Sequence, residues 1–276
     1  MPHHPEPAES PPVAAQATGP ARPDSMMWLN VDRVVYVGLV GEPMVRELGA
    51  YSIYVSLSKT HRISIEGGPW QEAELSVVPP YVSHSLVSGD RMICDILIEA
   101  DSVALDQLPA FIANGRGAVP APETASALRG ALERFQGGTA RQTLHTADFD
   151  QCFFGQALAP RAIDRRIRAV LAKIKDDPNS HTSAQDCAEV SHLSVSRFLH
   201  LFKTETGTSF RSFRTWQRAR SVLYYVTQDA NLAQIALDVG YPDSTHFSHS
   251  VRQVYGLTPK SIFAVGRKID VHGRVA

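Results

Sequence analysis

One pattern of residues occurs twice in the last third of this chain, about fifty positions apart. Each copy has a short apolar helical stretch, a turn, and a second apolar helical stretch that ends at a glycine. The matching positions are Ala188 and Ala236, Phe198 and Phe247, and Gly207 and Gly256. The offset is 48 residues before the turn (188 to 236) and 49 after it (198 to 247), so the second turn is one residue longer. Each copy predicts two helices joined by a tight turn, an arrangement that can place a helix in the major groove of DNA.

The net charge of −1 conceals a strong asymmetry between the two parts of the chain. Residues 161–276 contain 17 Lys and Arg against 10 Asp and Glu, whereas residues 1–160 contain 10 against 18. The repeated pattern therefore lies in the basic part of the chain, as expected of a nucleic-acid-binding domain.

Composition indicates a folded protein without a disulfide framework. The 276 residues have room for two domains, and 43% of them are hydrophobic. No apolar run approaches the ~20 residues of a membrane helix, and the start lacks the pattern of a secretory signal, so we expect a cytoplasmic protein without membrane contact. Cys94, Cys152 and Cys187 are far apart and form no C-x-x-C pair, so small buried thiols are expected.

The sequence predicts an α+β protein with a β-barrel or sandwich ahead of an all-α domain. Residues 1–26 are rich in proline and predict a disordered tail. Residues 27–110 contain short β-rich runs separated by turn signals, and residues 111–160 predict a helical segment for dimerisation or linkage. Residues 161–268 predict the domain with two helix-turn-helix units, and residues 269–276 a second tail.

An apolar stripe marks the helical segment, where Ala125, Leu128, Leu132 and Phe135 follow one another at helical spacing. The stripe can pair with its twin in a homodimer or cover the barrel. Both alternatives are compatible with the sequence.

The basic domain resembles the AraC/XylS family of bacterial transcription regulators over about residues 161 to 265. The most specific stretch runs Ile235-Ala236-x-x-x-Gly240-Tyr241-x-Asp243-Ser244-x-His246-Phe247-Ser248, followed by Tyr255-Gly256-Leu257-Thr258-Pro259. The resemblance implies double-stranded promoter DNA as the partner, with RNA polymerase as a further one. It also implies that the early, exposed part of each second helix contacts base edges, at Ser196, Leu199, His200, Ser244, Thr245, Ser248 and His249.

Basic side chains of this domain are candidates for the phosphate backbone, in competition with a role as solvated surface charges. They are Arg165, Arg197, Lys203, Arg211, Arg214, Arg252 and Lys260.

Two histidines depart from the family pattern, which usually has arginine at the positions of His200 and His249. A neutral imidazole cannot reproduce the bidentate contact of arginine with guanine. One hypothesis is that both histidines face DNA and that binding strengthens as the pH falls toward ~6, because an imidazole titrates near pH ~6.5. The alternative is that both are exposed without a role. His192 is a further departure, because the family often has glycine in that turn.

The amino-terminal region resembles the cupin-like barrels that family members carry, since Val78-Pro79-Pro80-Tyr81-Val82-Ser83-His84 is similar to a turn of that fold. Such a barrel can enclose a small effector, whose identity the sequence does not give, or have a solid core. The candidate lining residues are Tyr36, Tyr51, Ile53, His61, Ile63, Trp70 and His84. The region has only His61 and His84 as histidines and no H-x-H pair, so we expect neither a metal nor a cofactor.

Motifs of catalysis are absent from the sequence: it contains no G-x-S-x-G, H-E-x-x-H, P-loop or G-x-G-x-x-G pattern. A DNA-binding transcription regulator controlled by a small effector is therefore favoured over an enzyme. We expect such a regulator to form a homodimer through the sensor or the helix near Leu128. The alternatives are a cupin-type metalloenzyme with an attached nucleic-acid-binding domain and an adaptor that binds protein instead of DNA.

Overall fold

The computed structural model describes residues 26–40, 44–138, 145–226, 231–266 and 270–273. Strands dominate the part before residue 119, and helices dominate the part after it. The predicted α+β class is confirmed.

The strands of the described residues are Met26–Leu29 (β1), Arg33–Leu39 (β2), Ala50–Val55 (β3), His61–Ile65 (β4), Gln71–Ala73 (β5), Leu75–Val78 (β6), His84–Ser88 (β7), Met92–Glu99 (β8), Gly117–Ala118 (β9) and Asp270–Gly273 (β10). Over these ranges they form a large sheet in the order β10-β1-β2-β8-β3-β6-β9 and a small sheet in the order β5-β4-β7. The two sheets do not close into one barrel.

The edge of the large sheet is extended by a strand from the end of the chain. β10 pairs in parallel with β1, with Met26 opposite Asp270. It lies in the stretch for which the sequence predicts a tail, and Met26 lies in the stretch predicted as a disordered one. The pairing satisfies backbone groups of β1 that an edge strand otherwise leaves open.

The large sheet is covered on both faces, as the burial of every residue of β8 shows. On one face Cys94, Ile96 and Ile98 belong to a core shared with helices. On the other face Ile93 packs toward the small sheet and Leu97 packs toward the carboxyl-terminal domain. Successive residues of a strand point to opposite faces, so this one strand contributes to three cores.

Helices Ala110–Ala113 (α1), Pro122–Gly137 (α2) and Thr146–Phe154 (α3) follow the strands, after a short 3-10 turn at Leu105–Gln107. The stripe of α2 packs on the large sheet, where Phe135 meets Trp28 edge to face at 5.7 Å. Of the two alternatives for this stripe, the structure shows the covering role, because the sheet needs an apolar layer on this face. The stripe is consequently buried within one chain.

The carboxyl-terminal part contains helices Arg165–Asp176 (α4), Ala184–Val190 (α5), Val195–Thr206 (α6), Phe210–Ser221 (α7), Leu232–Asp238 (α8), Ser244–Tyr255 (α9) and Pro259–Gly266 (α10), with a 3-10 turn at Val222–Tyr225. One core joins α4 to the first unit through Ile167 and Phe198. A second core holds the second unit through Ile235 and Phe247. None of the helices in the described residues is long and apolar enough to cross a membrane.

Candidate nucleic-acid interface and inter-domain cavity

The two helix-turn-helix units have the same construction. α5 and α8 have seven residues each, and α6 and α9 have twelve each. The side chain of Ser194 caps α6 by accepting from the Arg197 amide, and that of Asp243 caps α9 by accepting from two amides. Gly207 and Gly256 end these helices with φ values of 78° and 64°. The repeat predicted from the sequence is thus a structural repeat.

The turns between the paired helices also match. The amide of Leu193 donates to the Ala188 carbonyl at 2.9 Å, and the amide of Tyr241 donates to the Ala236 carbonyl at 2.8 Å. The two alanines are buried where the helices cross, so a larger side chain would separate them. The additional residue, Pro242, lies after the second turn.

Both turns contain a residue in the left-handed region of the backbone. Gly240 has φ 74° and His192 has φ 53°. Glycine adopts this conformation without steric cost, whereas a side chain such as that of His192 is strained by it. The departure from the family pattern at His192 therefore changes the energy of the turn and leaves its shape intact.

The second helix of each unit presents the predicted side chains to solvent. On α6 these are Ser196, Arg197, Leu199, His200 and Lys203. On α9 they are Ser244, Thr245, His249 and Arg252, with Ser248 half-buried. His246 is exposed on the same turn of α9 and extends this polar surface, which its position within the signature already indicates.

Among the basic candidates, Arg214 has a structural role. Its guanidinium donates to the carbonyls of Ser180 and Thr182 and so fixes the loop before α5. Its Nη1 and Nη2 atoms are thus used within the domain, and contact of Arg214 with phosphate stays a prediction. Arg165, Arg211 and Lys260 are exposed.

Helix α7 and the 3-10 turn after it fix the two units relative to each other. Phe210 and Phe213 belong to the core of the first unit, and Val222 belongs to the core of the second. One continuous element thus enters both cores.

The same helix is bound to the amino-terminal domain through Glu99, at the end of β8. The buried Glu99 carboxylate accepts from Trp216 Nε1 at 2.9 Å and from Gln217 Nε2 at 3.1 Å. It also forms an ion pair with Arg220 Nε at 2.9 Å. A second ion-pair group joins α4 to this domain, where Lys175 Nζ lies 2.9 Å from Asp32 and 2.7 Å from Asp101. The two helix-turn-helix units are therefore docked on the sheet.

A cavity of about 530 Å³ lies between the large sheet and the second unit. Its floor is the face of β1, β2, β3 and β8 that carries Tyr36, Tyr54 and Asp95. Its opposite wall comes from the carboxyl-terminal domain, with Leu223, Val226, Tyr255, Leu257, Thr258, Ser261 and Ile262.

Of the predicted effector-binding residues, Tyr36 lines this cavity. The Tyr36 hydroxyl donates to the Leu39 carbonyl at 3.0 Å, and burial raises the pKa of Tyr36 to about 12. Tyr51 and Ile53 lie on the opposite face of β3, against the core under α2, since β3 alternates between faces. Ile63 packs in the core between the two sheets. These three residues belong to solid cores, which is the alternative interpretation of the sequence.

The remaining candidates also lie outside the cavity. His61 is held between the hydroxyls of Ser56 and Ser76, each at 2.7 Å, and burial lowers the pKa of His61 to about 4. Trp70 is exposed, with the guanidinium of Arg62 5.6 Å from its ring.

His84 stands behind the cavity, where its Nε2 lies 2.8 Å from the Tyr54 hydroxyl and its Nδ1 lies 2.9 Å from the Val82 carbonyl. Burial lowers the pKa of His84 to about 3. The imidazole is therefore neutral and bonded on both nitrogens. In the part of the chain that the structure describes, no group of three or more His, Cys, Asp or Glu is placed to hold a metal ion.

Sequence reasoning missed Arg46, Tyr54 and Asp95 as cavity residues. A signal existed for Asp95, which is the one acidic residue within the apolar run Met92–Ile98. Arg46 has no comparable signal, because it lies in a segment without periodicity and is buried at 8% exposure by contacts with distant residues.

Residues 187–264 match a family model described as a helix-turn-helix domain. The arabinose operon regulatory protein of Salmonella typhimurium is 31% identical over 104 residues, which are 37% of this chain and 37% of that protein. The invasion protein InvF of Salmonella typhi is 24% identical over 120 residues, 40% of this chain and 56% of that protein. The match spans about a third of other relatives, 33% of an uncharacterised regulator from Haemophilus influenzae and 32% of RipA from Corynebacterium glutamicum.

Solved structures of ToxT from Vibrio cholerae share the two-domain fold. A ligand-free form has a TM-score of 0.57 at 13% identity and covers 86% of this chain and 98% of its own. A form with a bound unsaturated fatty acid has a TM-score of 0.53 at 12% identity, with 86% and 96% covered.

Proposed function

We propose that the carboxyl-terminal domain of this chain is a double helix-turn-helix domain of the AraC type, and that the protein is a sequence-specific DNA-binding regulator of transcription. The observation that carries the proposal is the equivalence of α6 and α9. They share length, caps and exposure, and one rigid element links them. Two such helices can enter successive major-groove segments about 34 Å apart on one face of the duplex.

Contacts with DNA divide by chemistry. Ser196, Leu199 and His200 on α6 are proposed to meet base edges, as are Ser244, Thr245, Ser248 and His249 on α9. Arg197, Lys203 and Arg252 are exposed on the same helices and are proposed to neutralise phosphates.

The inter-domain cavity is the proposed effector site. A ligand in this cavity would touch both the sheet and the second helix-turn-helix unit. Such a double contact allows a regulatory ligand to favour one arrangement of the two domains. The mainly apolar walls suit an apolar or amphipathic molecule. The fatty acid bound by ToxT, a protein of the same fold, supports an effector of this kind.

Homodimer formation is also proposed, through a surface other than the apolar stripe of α2, because that stripe is buried against the sheet. Contact with RNA polymerase would follow from binding at a promoter. The cytoplasm is the expected location of such a regulator.

DNA binding can be tested with the purified full chain and a labelled fragment from upstream of its own coding region. We expect affinity to fall steeply with salt, because phosphate contacts release counterions. We also expect it to rise several-fold from pH 8 to pH 6, since protonated His200 and His249 would lie in the field of the phosphates.

The double variant His200→Arg and His249→Arg should lose this pH dependence and gain preference for guanine. Arg116→Ala, an exposed site in the amino-terminal domain, is the matched control and should behave as the parent chain does. The DNA-binding proposal would be refuted if the protein did not bind the DNA fragment, or if its affinity did not fall as the salt concentration rises. An unchanged pH profile in the double variant would refute only the role of the histidines.

A further inference from the structure

The chemistry of the cavity floor specifies more than an apolar ligand. This inference rests on the proposed effector site and concerns the head group that the site accepts. Most of the cavity wall is apolar, yet two oppositely charged side chains, Arg46 and Asp95, are buried at its floor.

Arg46 has its hydrogen-bonding edge free. It is 8% exposed, and its Nε and Nη2 atoms are buried with no hydrogen-bond partner among the described residues. These two N–H groups lie on the same edge of a guanidinium, which is the edge that receives both oxygens of a carboxylate. Arg33 uses the same pair of atoms on Asp150, with Nε at 2.8 Å and Nη2 at 3.0 Å. The Tyr54 side chain lies beside the guanidinium, but two buried N–H donors without an acceptor among the described residues are unfavourable, so this edge of Arg46 is suited to an anion.

Asp95 lies too far from Arg46 to be that anion. No ion pair within 4 Å joins the two in the described residues, although the charge of Arg46 acts on Asp95. The Asp95 Oδ1 atom is buried and also has no hydrogen-bond partner among these residues. Burial raises the pKa of Asp95 to about 7, with Arg46 acting in the opposite direction. Near neutral pH, Asp95 is therefore present both as the acid and as the carboxylate.

The other titratable groups around Asp95 keep one charge state near neutral pH. Tyr36 of β2 and Tyr54 of β3 stand in register on either side of it. Tyr255 of α9 and Arg91 also line the cavity. Burial raises the pKa of all three tyrosines, and the buried His84 behind Tyr54 is neutral. Asp95 is therefore the group that can change charge when an anion arrives.

The segment that carries Arg46 also contacts α9, the second helix of the second helix-turn-helix unit. The amide of Glu47 donates to the carbonyls of Gln253 and Val254, at 3.1 and 3.2 Å, at the carboxyl end of α9. Gly256, which ends α9, packs so closely that a Cβ placed on it would lie 3.4 Å from Arg46 Nε. A ligand that engages Arg46 therefore acts on a residue in contact with α9.

We propose that the cavity binds an amphipathic monocarboxylate, whose carboxylate pairs with the Nε and Nη2 edge of Arg46, and that Asp95 takes up a proton as the ligand binds. The apolar tail lies against the walls formed by the two domains. The proton neutralises Asp95, so that the ligand carboxylate and Arg46 remain as one compensated pair. Effector binding is then linked to pH.

The test uses decanoate, below its micellar concentration, with the full-length protein in calorimetric titrations. Decan-1-ol is the uncharged comparison of equal chain length. We expect decanoate to bind about tenfold more tightly at pH 6 than at pH 8, because a group titrating near pH 7 is mostly protonated at the first value and mostly ionised at the second. Titrations in buffers of different ionisation enthalpy should show proton uptake near pH 7. Decan-1-ol should show neither effect.

Three variants separate the roles of the side chains. Arg46→Gln should lose at least tenfold in decanoate affinity while its affinity for decan-1-ol stays within twofold. Asp95→Asn should bind decanoate equally at both pH values, without proton uptake. Arg116→Gln, at an exposed arginine outside the cavity, is the matched control, with less than a twofold effect.

The inference would be overturned if the parent chain bound decanoate and decan-1-ol with equal affinity, or if its affinity for decanoate did not depend on pH. Both outcomes are measured on the parent chain, so neither depends on the folding of a variant. Binding of neither compound by a protein that still retains DNA would also overturn it and would leave the DNA-binding proposal standing. Loss of DNA binding alone would refute the regulator proposal and leave the ligand chemistry intact.

Discussion

At the scale of single residues, burial changes the chemistry of Asp95 most. The side chain lies in the middle of β8 on a covered face, and loss of hydration raises its pKa from 3.8 to about 7, against the opposing charge of Arg46. The folded protein therefore binds a proton at Asp95 more readily than the unfolded chain does between about pH 4 and pH 7. This gain in stability is present at low pH and is lost as the pH rises through 7.

The variant Asp95→Asn should remove the destabilisation that ionisation of the buried Asp95 causes at high pH. At pH 8 we expect a higher melting temperature than that of the parent chain, from a gain in the free energy of unfolding of about 2–4 kcal/mol. At pH 4, close to the pKa of 3.8 that Asp95 has in the unfolded chain, the two proteins should melt within a degree or two of each other. Thermal unfolding followed by circular dichroism at both pH values measures the difference. Asp106→Asn, at an exposed aspartate, is the control, and a lower melting temperature of Asp95→Asn at pH 8 would contradict the argument.

At the scale of elements, the two turns place different residues in the same backbone conformation. Gly240 accepts its positive φ without cost, whereas His192 has a Cβ and is strained by about 1 kcal/mol. A Cβ on Gly240 would also lie 2.8 Å from the Asn179 carbonyl oxygen. The first turn is thus less stable than the second.

Reciprocal substitutions test this difference. His192→Gly should stabilise the protein by up to about 1 kcal/mol, and Gly240→Ala should destabilise it by more than about 1 kcal/mol. The measurement is the melting temperature of each full-length variant. His181→Gly, at an exposed loop position without a positive φ, is the control and should bring no gain. If the His192→Gly protein were less stable than the parent chain, the His192 side chain would stabilise the fold by more than its backbone strain destabilises it.

At the scale of the whole molecule, the contact between domains depends on a few buried polar groups. The Glu99 carboxylate compensates Arg220 and accepts hydrogen bonds from Trp216 and Gln217, all of them from α7. Around it, Met27, Leu97 and Leu223 bury apolar surface from both domains. Since α7 also joins the two helix-turn-helix units, this contact orients the proposed DNA-binding surface relative to the cavity.

Glu99→Ala should loosen this contact, because it leaves the buried Arg220 without its anion at a cost of about 3–5 kcal/mol. We expect faster hydrogen exchange in α7 and a red shift of fluorescence from Trp216, which is 2% exposed in the docked state. Glu133→Ala, at an exposed glutamate of α2, is the control. Unchanged exchange in α7 would show that apolar packing alone holds the domains together.

The sequence by itself determined the repeat, its helices and its caps. Each depends on residues within about five positions of one another, such as the Leu193 amide and the Ala188 carbonyl, or Asp243 and the two amides that follow it. Spacing and residue type carry that information, so the exposed faces of α6 and α9 follow from the pattern.

The tertiary structure alone decided where the cavity lies and which groups face it. Glu99 and Trp216 are 117 positions apart, and Arg46 meets α9 across more than two hundred. The β-rich runs predicted strands but left open which face of each strand would be covered by which domain. For this reason six of the seven predicted effector-binding residues lie outside the cavity. Burial and pairing depend on contacts between distant segments, and these contacts set the pKa of Asp95 and the position of the Arg46 guanidinium at the cavity.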